Sequence, residues 1–84
     1  MITVEQLADD ICLEIIYGCD RFDKEDVNEM IALSSIDRSE LRQLTETKLT
    51  AAIDRLGEAY SGNVNDEFHQ RQLNYWCNEK STVS

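Results

Sequence analysis

One histidine, three cysteines and seventeen carboxylates are the side chains of this 84-residue chain that could do chemistry. A nucleophilic centre needs a nucleophile, a base and an orienting group close together. The offsets that separate His69 from Asp66 and Cys77 do not place all three side chains on one helical face. We therefore expect His69 to be an ordinary surface histidine, and the sequence predicts no catalytic site and no enzyme activity.

The histidine and the cysteines are also the ligand types of a zinc site. Cys12, Cys19, His69 and Cys77 nevertheless lack the close cysteine pairs of structural zinc centres. An odd number of cysteines without dense spacing argues against a disulfide framework as well. We expect these cysteines to be small buried hydrophobic residues in a reducing, cytoplasmic environment, and we expect no metal and no other cofactor.

A run of acidic residues before the second predicted helix has the composition of a calcium loop. Such a loop needs oxygen ligands at its first, third and fifth positions and glycine at its sixth. Counted from Asp20, the third, fifth and sixth residues are Phe22, Lys24 and Glu25. This order excludes the calcium loop, and helix capping accounts better for Asp23.

Apolar residues recur at helical spacing along the chain, and the two-residue alternation of strands is absent. A capping residue flanked by a hydrophobic pair opens three of the helices, at Thr3, Asp23 and Asp37. Short connections make sequential helices antiparallel neighbours. We predict an all-α, compact, four-helix bundle-like domain over residues 1–80, organised around a long third helix, with a frayed tail at 81–84. The predicted helices are Val4–Tyr17, Lys24–Leu33, 38–60 and 66–78.

Several large apolar side chains lie at positions where core and surface are both conceivable. Leu13 and Tyr17 are off the main apolar stripe of the first helix, and we expect them to make further core contacts. Phe68, Tyr75 and Trp76 are close in angle on the fourth helix. Because such stripes usually face the interior, we expect this aromatic cluster to complete the core.

The net charge of −9 is unevenly distributed. Residues 1–37 carry a balance of −8, whereas residues 38–84 carry −1. A field of that sign repels phosphate backbones and attracts basic surfaces, which excludes direct nucleic-acid binding. Lys48 and Arg55, on one flank of the third helix, could relieve part of the charge internally. No apolar run approaches the length of a membrane span, so we expect no membrane partner.

The first helix concentrates like charges. Glu5 and Asp9, and likewise Asp10 and Glu14, are four residues apart, where each repelling pair destabilises a helix by roughly 0.2–0.5 kcal/mol. Carboxylates kept in such an arrangement indicate a binding surface, although an ordinary solvated acidic face is the simpler alternative. The predicted partner-binding residues are Glu5, Asp9, Asp10, Glu14, Asp20, Asp23, Glu25, Asp26 and Glu29.

We expect these carboxylates to imitate a row of phosphates and to occupy the basic, nucleic-acid-binding surface of a partner protein. The chain would then be an inhibitor. In size and charge alone it resembles the small acidic phage-type proteins of mobile elements, such as anti-CRISPR and anti-restriction proteins, that act as DNA mimics. The resemblance implies a protein with a basic surface as partner, and it leaves the identity of that partner and the oligomeric state open.

Two other functions stay open. The first is a helical adaptor or accessory subunit that docks through hydrophobic and aromatic contacts at Tyr75 and Trp76. The second is an acyl-carrier-like protein, which is also small, acidic and four-helical. Carrier proteins attach their prosthetic arm to the serine of an Asp-Ser-Leu sequence, and neither Ser35 nor Ser39 stands in that sequence. Similarity of fold class by itself says little about function.

Overall fold

Four α-helices account for most of residues 2–18 and 20–78, which are the residues that the computed structural model describes. These residues form no strand, and the helices pack into a body of 38 × 30 × 22 Å, so the predicted all-α, bundle-like fold is confirmed. The end of the predicted domain, residues 79–80, and the tail predicted to be frayed, residues 81–84, lie outside the described residues. The elements are α1 (Val4–Tyr17), α2 (Lys24–Leu33), α3 (Arg38–Leu56), a 3₁₀ turn (Gly57–Ala59) and α4 (Glu67–Cys77).

Helices α1 and α2 have the predicted bounds, and each begins with a capping box. The Thr3 hydroxyl accepts the N–H of Gln6 at 3.1 Å, and the Gln6 side chain accepts the N–H of Thr3 at 3.0 Å. Asp23 and Asp26 form the same reciprocal pair before α2, at 2.9 and 3.1 Å. These bonds satisfy amide groups that the first turn of a helix leaves without an intrahelical partner.

Helix α3 begins at the predicted residue, Arg38, whereas α4 begins later than predicted. Asp37 caps α3 by accepting the N–H of Ser39 at 3.3 Å, in place of a capping box with Glu40. Helix α4 begins at Glu67, one residue later than predicted, because Asp66 has extended backbone and serves as the N-cap. Asp37 is the cap that the sequence predicts for α3, whereas the cap of α4 was expected one residue earlier, at Asn65, and the side chain of Asp66 accepts no N–H of the first turn.

Helix α3 is shorter than predicted. It ends at Leu56, and Gly57 follows with φ 56° and ψ −128°, a backbone conformation that residues with a Cβ rarely adopt. A single 3₁₀ turn, Gly57–Ala59, follows. The prediction that α3 continues to about residue 60 is therefore wrong, because Gly57 breaks the helix rather than fraying within it.

Side-chain contacts with α3 show in which direction α1 and α4 run relative to it. The bond between Lys48 and Asp9 joins the middle of α3 to the middle of α1, and Tyr17 and Leu56 line one groove at the C-terminal ends of both helices. Helix α1 therefore runs parallel to α3. Helix α4 is antiparallel to α3, because Arg38, the first residue of α3, donates to the carbonyl of Cys77 at the end of α4, and Arg42, one turn later, binds Asn74 and Gln70.

The core lies where α1 and α4 pack against the first half of α3. Leu41, Thr45 and Leu49 of α3 are fully buried, whereas the apolar residues of its second half, Ala52, Ile53 and Leu56, are half-buried. The buried apolar side chains come from all four helices and are Leu7, Ala8, Ile11, Cys12, Ile15, Val27, Ile31, Leu41, Leu49, Leu73, Trp76 and Cys77.

Three aromatic and aliphatic side chains that were expected in the core, on α1 and at the start of α4, lie on the surface. Leu13 and Tyr17 are 40% and 60% exposed, because the described helices cover α1 only on the sides that face α3 and α4. Phe68 is also exposed, at 55%. The expectation of core burial is wrong for these three residues.

The aromatic stripe of α4 divides between core and surface. Trp76 is buried, and its ring meets the edge of Phe22 at a centroid distance of 5.5 Å. Tyr75, one residue earlier, is exposed. The core prediction is thus confirmed for Trp76 and wrong for Tyr75, since the connection before α2 supplies a ring to cover only one of the two.

Candidate functional site

The nine carboxylates predicted to bind a partner do not share one environment. Most are exposed, as the prediction requires. Asp10 is half-buried, and Glu14 is buried. Three elements carry the exposed members: α1, the connection that leads into α2, and α2 itself as far as Glu29.

Glu14 does not belong to the surface. Its side chain is 6% exposed, and its two carboxylate oxygens accept the backbone N–H groups of Asp20 at 3.0 Å and Arg21 at 3.2 Å. The guanidinium of Arg21 adds a further contact at 3.4 Å. A buried carboxylate needs such donors to offset its loss of hydration. The prediction of Glu14 as a partner-binding residue is therefore wrong, because this carboxylate binds the chain's own connection.

Cations offset the charges that were expected to repel one another on α1. Lys48 lies 3.0 Å from Asp9, as its position on α3 predicts. Arg21 binds Asp10 at 3.5 Å in addition to Glu14. Of the two repelling pairs, only Glu5 takes no part in the ion pairs of the described residues. The expected strain on this helix is therefore largely relieved.

Two further carboxylates have a local structural role. Asp23 and Asp26 form the capping box of α2, so helix formation alone accounts for their presence. Both remain exposed and keep their negative charge at the N-terminus of the helix, where the helix dipole favours it. They can add to an acidic surface, but they cannot be changed without affecting α2.

Four carboxylates have no such use. Glu5, Asp20, Glu25 and Glu29 are exposed, and their carboxylate oxygens make no hydrogen bond or ion pair among the described residues. Glu25 and Glu29 are one turn apart on α2, where Cβ atoms are about 5–6 Å apart. Asp20 is in the connection that leads into the same helix. The uncompensated part of the acidic surface is therefore centred on the start of α2.

The basic side chains that could neutralise this surface bind the end of α4 instead. Lys24 Nζ donates to the carbonyl oxygens of Trp76, at 3.2 Å, and Asn78, and Arg38 donates to the carbonyl of Cys77 at 3.3 Å. These carbonyls are at the negative end of the α4 dipole. Burial, and then the charge of Arg38, lower the pKa of Lys24.

Sequence reasoning missed this use of the cations, although a signal was present. Lys24 and Arg38 are the first residues of α2 and α3, where a positive charge opposes the dipole of its own helix. Arg42, one turn into α3, binds the side chains of Asn74 and, at 2.8 Å, Gln70. Cations in such positions indicate a partner elsewhere in the fold.

His69 is buried, at 2% exposed, and the prediction of a surface histidine is wrong. Its Nδ1 donates to the carbonyl of Asn63 at 2.8 Å, which leaves Nε2 to accept the hydroxyl of Tyr60 at 2.5 Å. A Cβ on Gly62 would overlap the rings of Tyr60 and His69. Burial, and then the charge of Asp66, raise the pKa of the Tyr60 hydroxyl. Both imidazole nitrogens are thus occupied in holding the α3–α4 connection.

The described cysteines are inert groups in the core. Burial raises the pKa of the thiols of Cys12 and Cys77, so both favour the protonated form. The remaining cysteine of the set considered for zinc, Cys19, lies outside the described residues. Within residues 2–18 and 20–78, no three His, Cys, Asp or Glu side chains are grouped as metal ligands.

No family model, no curated protein and no solved structure matches this chain. In the part of the chain that the structure describes, no helix combines the length and the apolar run needed to cross a bilayer. The functional proposal therefore depends on the chemistry and the placement of the side chains described above.

Proposed function

We propose that this chain is a binding protein whose acidic surface occupies a basic, nucleic-acid-binding surface of a partner protein and so excludes the nucleic acid. The observation that carries the proposal is the separation of charge. The cations Lys24 and Arg38 bind the end of α4, and the neighbouring carboxylates Asp20, Glu25 and Glu29 are exposed and make no ion pair with any residue that the structure describes. Such a surface attracts basic patches and accelerates encounter with them.

An inhibitor of this kind would act as a DNA mimic, in the way that anti-CRISPR and anti-restriction proteins of phages do. The proposal narrows the predicted surface to the carboxylates that the fold does not use. Glu14 is withdrawn from it, and Asp9 and Asp10 contribute only as members of ion pairs. The alternative function, an adaptor that docks through Tyr75 and Trp76, has less support, because Trp76 is buried in the core.

The test compares two variants with the same change in net charge. One carries Asp20→Asn, Glu25→Gln and Glu29→Gln, and the control carries Glu40→Gln, Asp54→Asn and Glu58→Gln. All six side chains are exposed, and each set contains one residue from the first turn of a helix. Circular dichroism should show that both variants keep the helical fold.

Each protein is immobilised, incubated with lysate of its natural host and washed at rising salt, and the captured proteins are identified by mass spectrometry. We expect a nucleic-acid-binding protein to be retained by the native chain and by the control, and to be lost from the α2 variant. Retention should fall between about 0.1 M and about 1 M salt, as the Debye length shortens from about 10 Å to about 3 Å. Competition with a duplex or single-stranded oligonucleotide then tests exclusion.

Two results contradict the proposal. Equal retention of the partner by both variants would show that the charge at the start of α2 does not matter. A captured partner that holds the nucleic acid and this chain simultaneously would show that binding is not exclusion.

A further inference from the structure

A groove of about 630 Å³ lies between the C-terminal halves of the parallel helices α1 and α3. Its walls are apolar. Leu13, Ile16 and Tyr17 line it from α1, and Ala51, Ala52 and Leu56 line it from α3. On both helices the lining residues recur every three or four positions, which is the spacing of one helical face. The groove therefore follows the two helices for about two turns, or about 12 Å.

The exposed side chains of this groove are the ones that the core does not use. Leu13 and Tyr17 are 40% and 60% exposed although they are large and apolar. Opposite them, Ala51 and Ala52 are small and would let another backbone approach α3 closely. An amphipathic helix commonly binds with its apolar face in a hydrophobic groove of this kind, where its ridge of side chains fills the space between the two receptor helices.

The charges at the rim indicate what such a helix carries. At one end, Lys48 and Asp9 neutralise each other at 3.0 Å. At the other end lies Arg55, which is exposed. Each of the other arginines and lysines in the part of the chain described makes a hydrogen bond or ion pair there, and Arg55 makes none. In a chain with a net charge of −9, this cation therefore has no acceptor within residues 2–18 and 20–78.

We infer that the groove binds an amphipathic helix of a partner protein, which inserts apolar side chains between Leu13 and Leu56 and pairs one carboxylate with Arg55. The rest of that helix is neutral or basic, because the net charge of this chain repels an acidic one. Its apolar residues recur at positions i, i+3 or i+4, and i+7, and the acidic residue follows them at a fixed offset. The groove is separate from the charged surface at the start of α2, and the inference goes beyond the proposed function.

The test is a selection from a displayed library of helical peptides of about 20 residues, a length at which isolated helices form. The immobilised target is the full-length protein. We expect the enriched peptides to share the apolar spacing and a single acidic position. One enriched peptide is then synthesised, and its Kd is measured for the native chain and for variants.

Leu13→Ser and Arg55→Glu should each raise the Kd of that peptide by about tenfold or more, as truncation at an interface hot spot does. Exchanging the acidic residue of the peptide for lysine should restore its binding to Arg55→Glu. Leu33→Ser and Arg71→Glu are the matched controls, because both residues are exposed and lie outside the groove. Neither should change the Kd, and all four variants should keep the native Tm.

Several outcomes overturn the inference. Enriched peptides without a shared acidic position, a charge exchange that restores nothing, or equal losses in the controls would each do so. Binding of dodecanoate in the groove without enrichment of any helical peptide would indicate an amphiphile site. A dimer in sedimentation equilibrium that Leu13→Ser dissociates would indicate a second copy of the chain. The α2 variant with Asp20→Asn, Glu25→Gln and Glu29→Gln should bind the peptide normally, so failure of one proposal does not decide the other.

Discussion

The connection that precedes α2, residues 20–23, and the connection that precedes α4, residues 57–66, are both held by a buried polar side chain. Glu14, in the last turn of α1, accepts backbone N–H groups from the first connection. His69, in the first turn of α4, donates to a backbone carbonyl of the second and accepts the hydroxyl of Tyr60. The first anchor precedes its connection in the chain, and the second follows it.

The difference follows from which backbone groups meet each anchor: the N–H groups of Asp20 and Arg21 in the first connection, and in the second the carbonyl of Asn63, which also accepts the N–H of Asp66 at 2.9 Å. Amide groups need an acceptor, and a carboxylate can serve two of them at once, whereas a carbonyl needs a donor. Glutamate is a residue type that is rarely buried without a partner, and histidine is intermediate. The acidic half of this chain is therefore not surface charge throughout, because the carboxylate of Glu14 is buried and holds the first connection.

The largest effect is expected from His69→Ala. The change leaves a cavity where a buried ring stood and removes both bonds that hold residues 57–66, so the free energy of unfolding should fall by about 3 kcal/mol or more. Urea unfolding followed by circular dichroism measures it. Arg71→Ala, at an exposed position of the same helix, should change stability by less than about 0.5 kcal/mol. If the two variants were equally stable, His69 would not be an anchor.

A smaller loss is expected from Glu14→Gln. The amide keeps the shape of the side chain but removes its charge and one of its two acceptor oxygens, which should lower stability by about 1.5–2 kcal/mol. The amide resonances of Asp20 and Arg21 should shift in the NMR spectrum. Glu5→Gln, an exposed carboxylate of the same helix, is the control and should be nearly neutral. A loss no greater than that of the control would return Glu14 to the acidic surface.

The smallest effect, about 1 kcal/mol at neutral pH, is expected from Tyr60→Phe, which removes only the hydroxyl bond to His69. The raised pKa of Tyr60 gives this variant a further signature. The folded state keeps the phenol protonated above pH 10.0, where the unfolded chain releases the proton, so this contribution to stability is lost as pH rises through the folded pKa. Stability of the native chain should thus fall more steeply above about pH 10 than that of the variant. Parallel pH profiles would argue against a shielded hydroxyl.

The architecture was predictable where local signals determine it. The side chains of Thr3 and Asp23 each accept the backbone N–H of the residue three positions later, and the apolar residues of the helices that follow recur at helical spacing. The bounds of α1 and α2 were therefore confirmed. The end of α3 was not, because the sequence does not distinguish a Gly57 tolerated within a helix from one that adopts φ 56° and ends it.

The candidate site was predictable only in part. Asp20, Glu25 and Glu29 are exposed, as the concentration of charge in residues 1–37 indicates. The positions of Leu13 and Tyr17 depend on which flanks of α1 the other helices cover, and periodicity within one helix does not contain that information. The same limit applies to Trp76 and Tyr75, neighbours in sequence that the fold separates into core and surface.

The sequence by itself determined that this chain is helical, where its first two helices begin and end, and that its negative charge is concentrated before α3. These properties depend on residues within a few positions of one another. Tertiary structure decided that Glu14 and His69 are buried, that Lys24 and Arg38 bind the end of α4, and that a groove opens between α1 and α3. Each of these depends on unpaired backbone groups or uncovered faces of elements distant in the chain, and burial makes those long-range requirements outweigh the surface preference of the individual residue.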